Sequence, residues 1–222
     1  SEMCIRDRDY AAIPGGEDVL VRGLGMGFYD IMALTTIERG GTFVEDSSTR
    51  SGLRYEPCGD EPNFIISSGR GYPYHPKSEY GELPPTMPRR RLKNVIAELN
   101  GTHDIDFDAQ VWPAIARDSY EAYITTLERV RPDSLLRPRA DILEVIDATA
   151  PDELGAAIAP MVTEPWDMND LMYQIAGFTG DIDELTEHIA QSMESDIREA
   201  SAGHDSPIKA ALWSLCLLYT SP

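Results

Sequence analysis

The chain has 222 residues and a formal charge of −19, with 19 Lys and Arg against 38 Asp and Glu. Its 42% apolar content excludes a wholly disordered polyanion, and three cysteines in 222 residues exclude a disulfide scaffold. The acidity excludes general binding to nucleic acid or to an anionic membrane, and no run of about 18 apolar residues is present to span a bilayer.

Both ends read as translated sequencing adapter. Ser1 to Arg8 (SEMCIRDR) matches one adapter strand and Cys216 to Pro222 (CLLYTSP) matches the other. Such scars are set aside before a fold is read. The expectation is therefore a native stretch of 207 residues, Asp9 to Leu215, taken from the interior of a longer protein. Cys58 is then the one native cysteine, so no intrachain disulfide is expected.

Charge divides this stretch. Residues 141–200 hold 15 acidic side chains and one basic one, Arg198, whereas residues 9–140 hold 20 acidic and 15 basic.

The elements follow in chain order. Val19-Leu20-Val21 is a short apolar run of the type that forms a buried parallel strand. Gly27 to Glu38 has the apolar spacing of a helix, stopped by Gly40-Gly41. Thr42 to Val44 and Leu53 to Tyr55 flank a polar loop, as in an irregular hairpin. Asn63 to Ser68 (NFIISS) is a second run of the buried-strand type, followed by Gly69-Arg70-Gly71. Tyr72 to Arg91 is proline-rich, lacks periodicity and reads as a long loop. From Asp108 the pattern is helical. A long helix is predicted over Ala109–Arg129, Pro151 opens another, Asp181 and Glu184 form a capping box for a helix to about Ala200, and Ser206-Pro207 opens a last one.

One motif carries chemistry. In VLVRGLGMGFYD a strand runs through Gly23, Gly25 and Gly27 into a helix. Gly23 would permit the tight turn and Gly25 a close approach to a pyrophosphate, whose charge the helix N-terminus would hold. The spacing departs from G-x-G-x-x-G, because Phe28 stands where the third glycine belongs. The candidate cofactor-binding set is Gly23, Gly25, Met26, Gly27, Phe28 and Arg70. The alternative is a plain glycine turn between strand and helix.

The strand that follows decides the cofactor. If it is Thr42–Val44, then Glu45 or Asp46 would meet a ribose hydroxyl and the cofactor is NAD. If it is Phe64–Ser67, Arg70 would meet a 2′-phosphate and the cofactor is NADP, with residues 42–63 as an insertion. The second reading is preferred, because NFIISS is the better parallel-strand sequence.

The segments GLGMGFYD, ERGG, LRYEPCGDEPNFIISSGRGYPYH and, near the end, SPIKAAL resemble the FAD/NAD(P)-binding protein family common in actinobacteria. That family is similar to flavin-dependent monooxygenases such as urate hydroxylase and the aspartate N-hydroxylating enzymes. The resemblance implies an FAD motif upstream in the complete parent, with residues 23–30 as the later, nicotinamide-binding motif and Arg70 in that half's arginine-glycine element. It identifies no catalytic residue.

The expected fold class is α/β, with a partial Rossmann-like dinucleotide-binding segment over 9–107 and an acidic all-helical segment over 108–215. The expected cofactors are NADP or NAD, and FAD in the full-length parent. No metal site, nucleic-acid partner or membrane span is expected, and the expected location is the cytoplasm. A non-catalytic nucleotide-binding or protein-interaction module is the competing function. His75 reads as a surface histidine or a cofactor contact, Cys58 as an ordinary thiol in a turn, and the acidic half as a solvated face.

Overall fold

A computed structural model describes residues 10–49, 51–69 and 71–216. The chain divides into two compact units, residues 1–74 and 75–222. From His75 on, the proline-rich loop thus groups with the helices that follow it, whereas the texture of the sequence changes near residue 108.

The first unit is a small α/β assembly. Strand β1 (Asp18–Arg22) runs through the glycine turn into helix α1 (Met26–Thr35). A short 3-10 turn, Ile37–Arg39, closes on Gly40, and strands β2 (Thr42–Glu45) and β3 (Leu53–Glu56) form an antiparallel hairpin. Strand β4 (Asn63–Ser67) returns to pair with β1 in parallel, Asp18 opposite Asn63 and Arg22 opposite Ser67. The expected strand, helix, hairpin and strand are all present. The hairpin is a separate two-stranded sheet, held in part by the Phe43 and Tyr55 rings at 5.3 Å.

One expectation needs correction. The β1 and β4 runs have the sequence of buried strands, yet Leu20 is 73% exposed, and Ile65 and Ile66 are also exposed. A run of apolar residues reports the environment a strand is built for, namely a parallel sheet covered on both faces. In this pair one strand neighbour and one helix leave much of that surface uncovered.

The second unit is helical. After the loop come α2 (Arg90–Leu99), a single π turn (Phe107–Val111) and the 19-residue α3 (Trp112–Val130). Then follow α4 (Arg139–Ala148), α5 (Leu154–Ile158), α6 (Met168–Met172), α7 (Ile182–Ser201) and α8 (Pro207–Cys216). Helix α3 is the core element: Ala116, Tyr120, Tyr123, Ile124 and Leu127 pack against Ile142, Ile146, Leu154, Ile158, Met168 and Ala211. Fully burying an aliphatic side chain of this kind is worth about 1.5–3 kcal/mol, so this cluster dominates the unit's stability.

Helix α2 overlaps the end of the expected loop and is not among the expected helices. Its amphipathic spacing, Leu92, Val95, Ile96 and Leu99, is present in the sequence. Its start signal is not, because the N-cap is Arg89, with no capping side chain. The cap comes from another helix: the Asp118 carboxylate on α3 accepts from the Leu92 amide at 3.0 Å and from the Arg91 amide at 3.3 Å. Asp118 also receives the Arg91 guanidinium at 3.0 Å, while Glu121 and Asp147 each accept from it at 2.5 Å. Every contact of this ion cluster is tertiary, and the cluster explains why α3 buries acidic residues that its apolar stripe does not predict.

The capping box at α7 is present in full. Asp181 accepts from the Asp183 and Glu184 amides, and Glu184 accepts from the Asp181 amide. Asp181, Asp183 and Glu184 thus cap a helix. Among the described residues no group of three or more His, Cys, Asp or Glu side chains is placed to hold a metal ion. Nor, among them, is any helix long and apolar enough to cross a membrane.

Candidate nucleotide-binding site

The glycine turn lies at the carboxyl ends of the two parallel strands. That is the edge at which ligands bind in open α/β sheets, because loops and helix N-termini converge there. Gly23 has φ +113°, a conformation that an L side chain strains, and its N–H donates to the Ser67 carbonyl at 2.6 Å. This bond carries the β1–β4 pairing one step past the last strand residue and brings the turn beside the end of β4.

Gly25 is the N-cap of α1, extended at φ −86° and ψ −176°, and it offers no side-chain cap. Its carbonyl accepts from the Phe28 amide at 2.9 Å. No side chain caps the opening turn of α1, and such amides together with the helix dipole favour an anion. A Cβ placed on Gly25 or Gly27 would meet no atom within 4 Å. By contrast Gly41 has no such room, because a Cβ there would strike the Tyr55 ring. Packing within the chain therefore accounts for Gly41 and does not account for Gly25 and Gly27.

Beside the turn is a cleft of about 330 Å³, bounded by Gly23, Leu24 and Gly25 on one side and Ser68, Gly69 and Tyr72 to Tyr74 on the other. Its far wall starts in a tight turn, in which Ser68 accepts from the Gly71 amide through both its carbonyl (3.1 Å) and its hydroxyl (3.0 Å). The volume lies at the low end of ligand sites and suits one moiety of a dinucleotide, not the whole.

The remaining predicted residues divide. Met26 is 74% exposed at the start of α1. The Phe28 side chain is buried, its ring edge-on to Phe64 of β4 at 5.6 Å. It holds the helix on the strand, the packing position of the missing third glycine, but does so by filling the space instead of closing it. Arg70 lies outside the described residues. Glu45 and Asp46 are not at the parallel edge: β2 pairs with β3, and the partner of β1 is β4. Asp46 instead closes the hairpin loop, accepting from the Ser48 amide at 2.9 Å and pairing with Arg54 at 3.2 Å. The Ser48 hydroxyl and amide hold its carboxyl below the usual range.

Cys58 and His75 lie in different settings. Cys58 is exposed in a turn organised by Glu61, which accepts from the Tyr55 hydroxyl, the Cys58 amide and the Gly59 amide. The Tyr55 hydrogen bond is the main cause that holds Glu61 down at about 2. His75 is not a surface histidine: its side chain is 12% exposed and bonds to Asp196 across 121 residues of sequence. Ser68, Tyr72 and Tyr74 were not in the predicted set. Their signal was adjacency to the GRG element.

No family model matches the chain. It is 36% identical over 220 residues to an L-aspartate N-monooxygenase (nitrosuccinate-forming) of Streptomyces cremeus, covering 93% of this chain and 32% of that protein. It is 32% identical over 219 residues to the L-aspartate N-monooxygenase of Streptomyces davaonensis, at 93% and 33% coverage. A nitrosuccinic acid synthase of Aspergillus oryzae is 32% identical over 220 residues, at 93% and 32%. The chain is similar to L-aspartate N-monooxygenases. It spans about a third of the length of these curated relatives. The similarity covers 93% of this chain and agrees with the likeness to the aspartate N-hydroxylating enzymes.

Proposed function

We propose that this chain is the nicotinamide-nucleotide-holding segment of an FAD- and NAD(P)H-dependent, N-monooxygenase-like oxidoreductase. The observation that supports this reading most is the glycine turn: uncapped helix amides, two glycines with open space where side chains would be, and a cleft, all at the carboxyl edge of a parallel strand pair. In this reading the opening amides of α1 hold a pyrophosphate, and Gly23 and Gly25 keep the backbone low enough for it to approach. Phe28 acts through packing, by fixing the angle of α1 on β4. Arg70 would meet the 2′-phosphate of NADP.

When bound, the nicotinamide supplies a hydride and the flavin the oxygen chemistry, while the protein binds, orients and excludes water. Similarity to proteins named for N-monooxygenation of aspartate makes an amine nitrogen the proposed acceptor of oxygen. Residues 9–107 and 108–215 are proposed as the nucleotide-binding and helical segments of that parent.

The test is a titration of the chain with NADPH and with NADH, read by nicotinamide fluorescence. Saturable binding that weakens in Gly25→Val supports the reading, and loss of NADPH preference in Arg70→Ala supports its NADP form. Absence of saturable binding, or binding indifferent to Gly25→Val, rejects it. In the complete oxidoreductase, NAD(P)H-dependent bleaching of the flavin spectrum is the expected accompanying result.

A further inference from the structure

The sequence holds one Asn-Gly pair, Asn100-Gly101, and it sits in an exposed turn at the end of α2. Asn100 has φ −59° and ψ 120°, Gly101 has φ +81°, and the Thr102 amide donates to the Leu99 carbonyl at 2.9 Å. These are the angles and the bond of a type II β-turn, whose third position needs the positive φ that glycine adopts without strain. Asn100 and residues 101–110 are all exposed. Among the described residues neither the Gly101 N–H nor the Asn100 side chain has a hydrogen-bond partner.

The turn thus joins a free backbone nitrogen to a free side-chain amide. The Gly101 nitrogen can close on Asn100 Cγ to form a five-membered ring, and no Cβ on Gly101 obstructs it. Closure requires Asn100 to rotate about ψ, and the bond that closes the turn, Leu99 to Thr102, is what the rotation opens. The N–Cγ bond forms, the Cγ–Nδ2 bond breaks, and Nδ2 leaves as ammonia with the Gly101 proton. Water then opens the succinimide. Cleavage at Cγ gives an aspartyl residue, and cleavage at the Asn100 main-chain carbonyl gives an isoaspartyl one. The other three asparagines lack this setting. Asn63 lies in β4 before Phe64 and donates its amide to the Glu17 carbonyl at 2.9 Å, Asn94 lies inside α2 before Val95, and Asn169 lies in α6 before Asp170. Strand or helix fixes their ψ, and each next residue carries a Cβ.

We propose that Asn100 is a site of intramolecular deamidation in the folded protein. Either product places a carboxylate at the C-terminal end of α2, where the partial negative charge of the helix disfavours it. The isoaspartyl product also adds a methylene to the main chain, which the Leu99–Thr102 turn does not accommodate. The end of α2 and the segment that leads to the π turn are therefore the part of the helical unit that changes as the molecule ages. The site goes beyond the nucleotide reading and does not depend on it.

The test holds the full chain under native conditions at pH 6 and at pH 8. Each asparagine is followed by peptide mass mapping, and methyl transfer by an isoaspartyl methyltransferase is the second readout. Conversion is expected at Asn100, at least about tenfold faster than at Asn63, Asn94 or Asn169. It should be faster at pH 8, because the attacking amide nitrogen must lose its proton. Asn100→Gln should remove the mass change and most of the methyl acceptance, since its ring would need six members. Asn100 is exposed, so this variant keeps the fold, and an unchanged thermal unfolding curve checks it. An unmodified Asn100, a rate no faster than at the other asparagines, or methyl acceptance unchanged in Asn100→Gln would overturn the proposal.

Discussion

The Gly23 amide donates to the Ser67 carbonyl at 2.6 Å, so the glycine turn begins as one further rung of the β1–β4 ladder. Turn and strand end are thereby held in a fixed relation before any ligand arrives. That relation separates two kinds of glycine in the motif. Gly23 is required by its own φ, whereas Gly25 and Gly27 have ordinary space around them that nothing in the chain fills.

Gly25→Val should therefore leave the fold nearly unchanged, because an L side chain is allowed at φ −86° and its Cβ meets nothing. A cost under about 1 kcal/mol is expected for an apolar N-cap. Nucleotide affinity should fall about tenfold or more. Thermal unfolding and nucleotide titration on the same sample check both halves. A large loss of stability would show that this glycine serves the fold instead.

Phe28→Ala should destabilise the first unit by about 3–5 kcal/mol, because it empties the space between α1 and Phe64. Phe28→Leu should retain most of the stability and nucleotide affinity. If Phe28→Leu keeps its stability yet loses nucleotide, the ring contacts the ligand and the packing role is wrong. Urea denaturation and titration separate these outcomes.

Asp118→Ala should cost about 3–5 kcal/mol, since it removes the cap of α2 and one of the carboxylates around a guanidinium that is 8% exposed. Asp118→Asn should cost less, because the amide oxygen can still accept from the Leu92 N–H. The ordering Ala worse than Asn is the informative result in a urea denaturation series; equal losses would argue against the capping role.

The pH dependence follows from Asp196. Burial opposes ionisation, but the bonds from His75 and Lys209 leave its folded pKa below the unfolded value. Its contribution is therefore fully present above about pH 4, the unfolded value of a carboxyl, and is lost as the pH falls through the folded value. Urea unfolding between pH 7 and pH 2 should show this acid limb in the native chain and a shallower one in Asp196→Asn. An identical limb in both would mean that Asp196 contributes no acid sensitivity.

What the residue order carries plainly is the set of elements whose signals are local. Strands β1 and β4, helix α1, the β2–β3 hairpin, the Asp181–Glu184 capping box and the Pro207 start were all legible, because turn residues, caps and periodicity act within about four positions. The glycine motif and its strand-to-helix setting were legible for the same reason. Helix α2 was not, because its cap, Asp118, arrives from α3, 26 residues away. The choice of β4 over β2 as the partner of β1 rested on composition and was settled by pairing across about 45 residues. The joining of His75, Asp196 and Lys209 had no sequence signature: their spacing fits no local motif, and burial against the packed helices is what makes one carboxylate answer both donors. Local stereochemistry placed the glycine turn; long-range packing selected the strand beside it and assembled the buried charges.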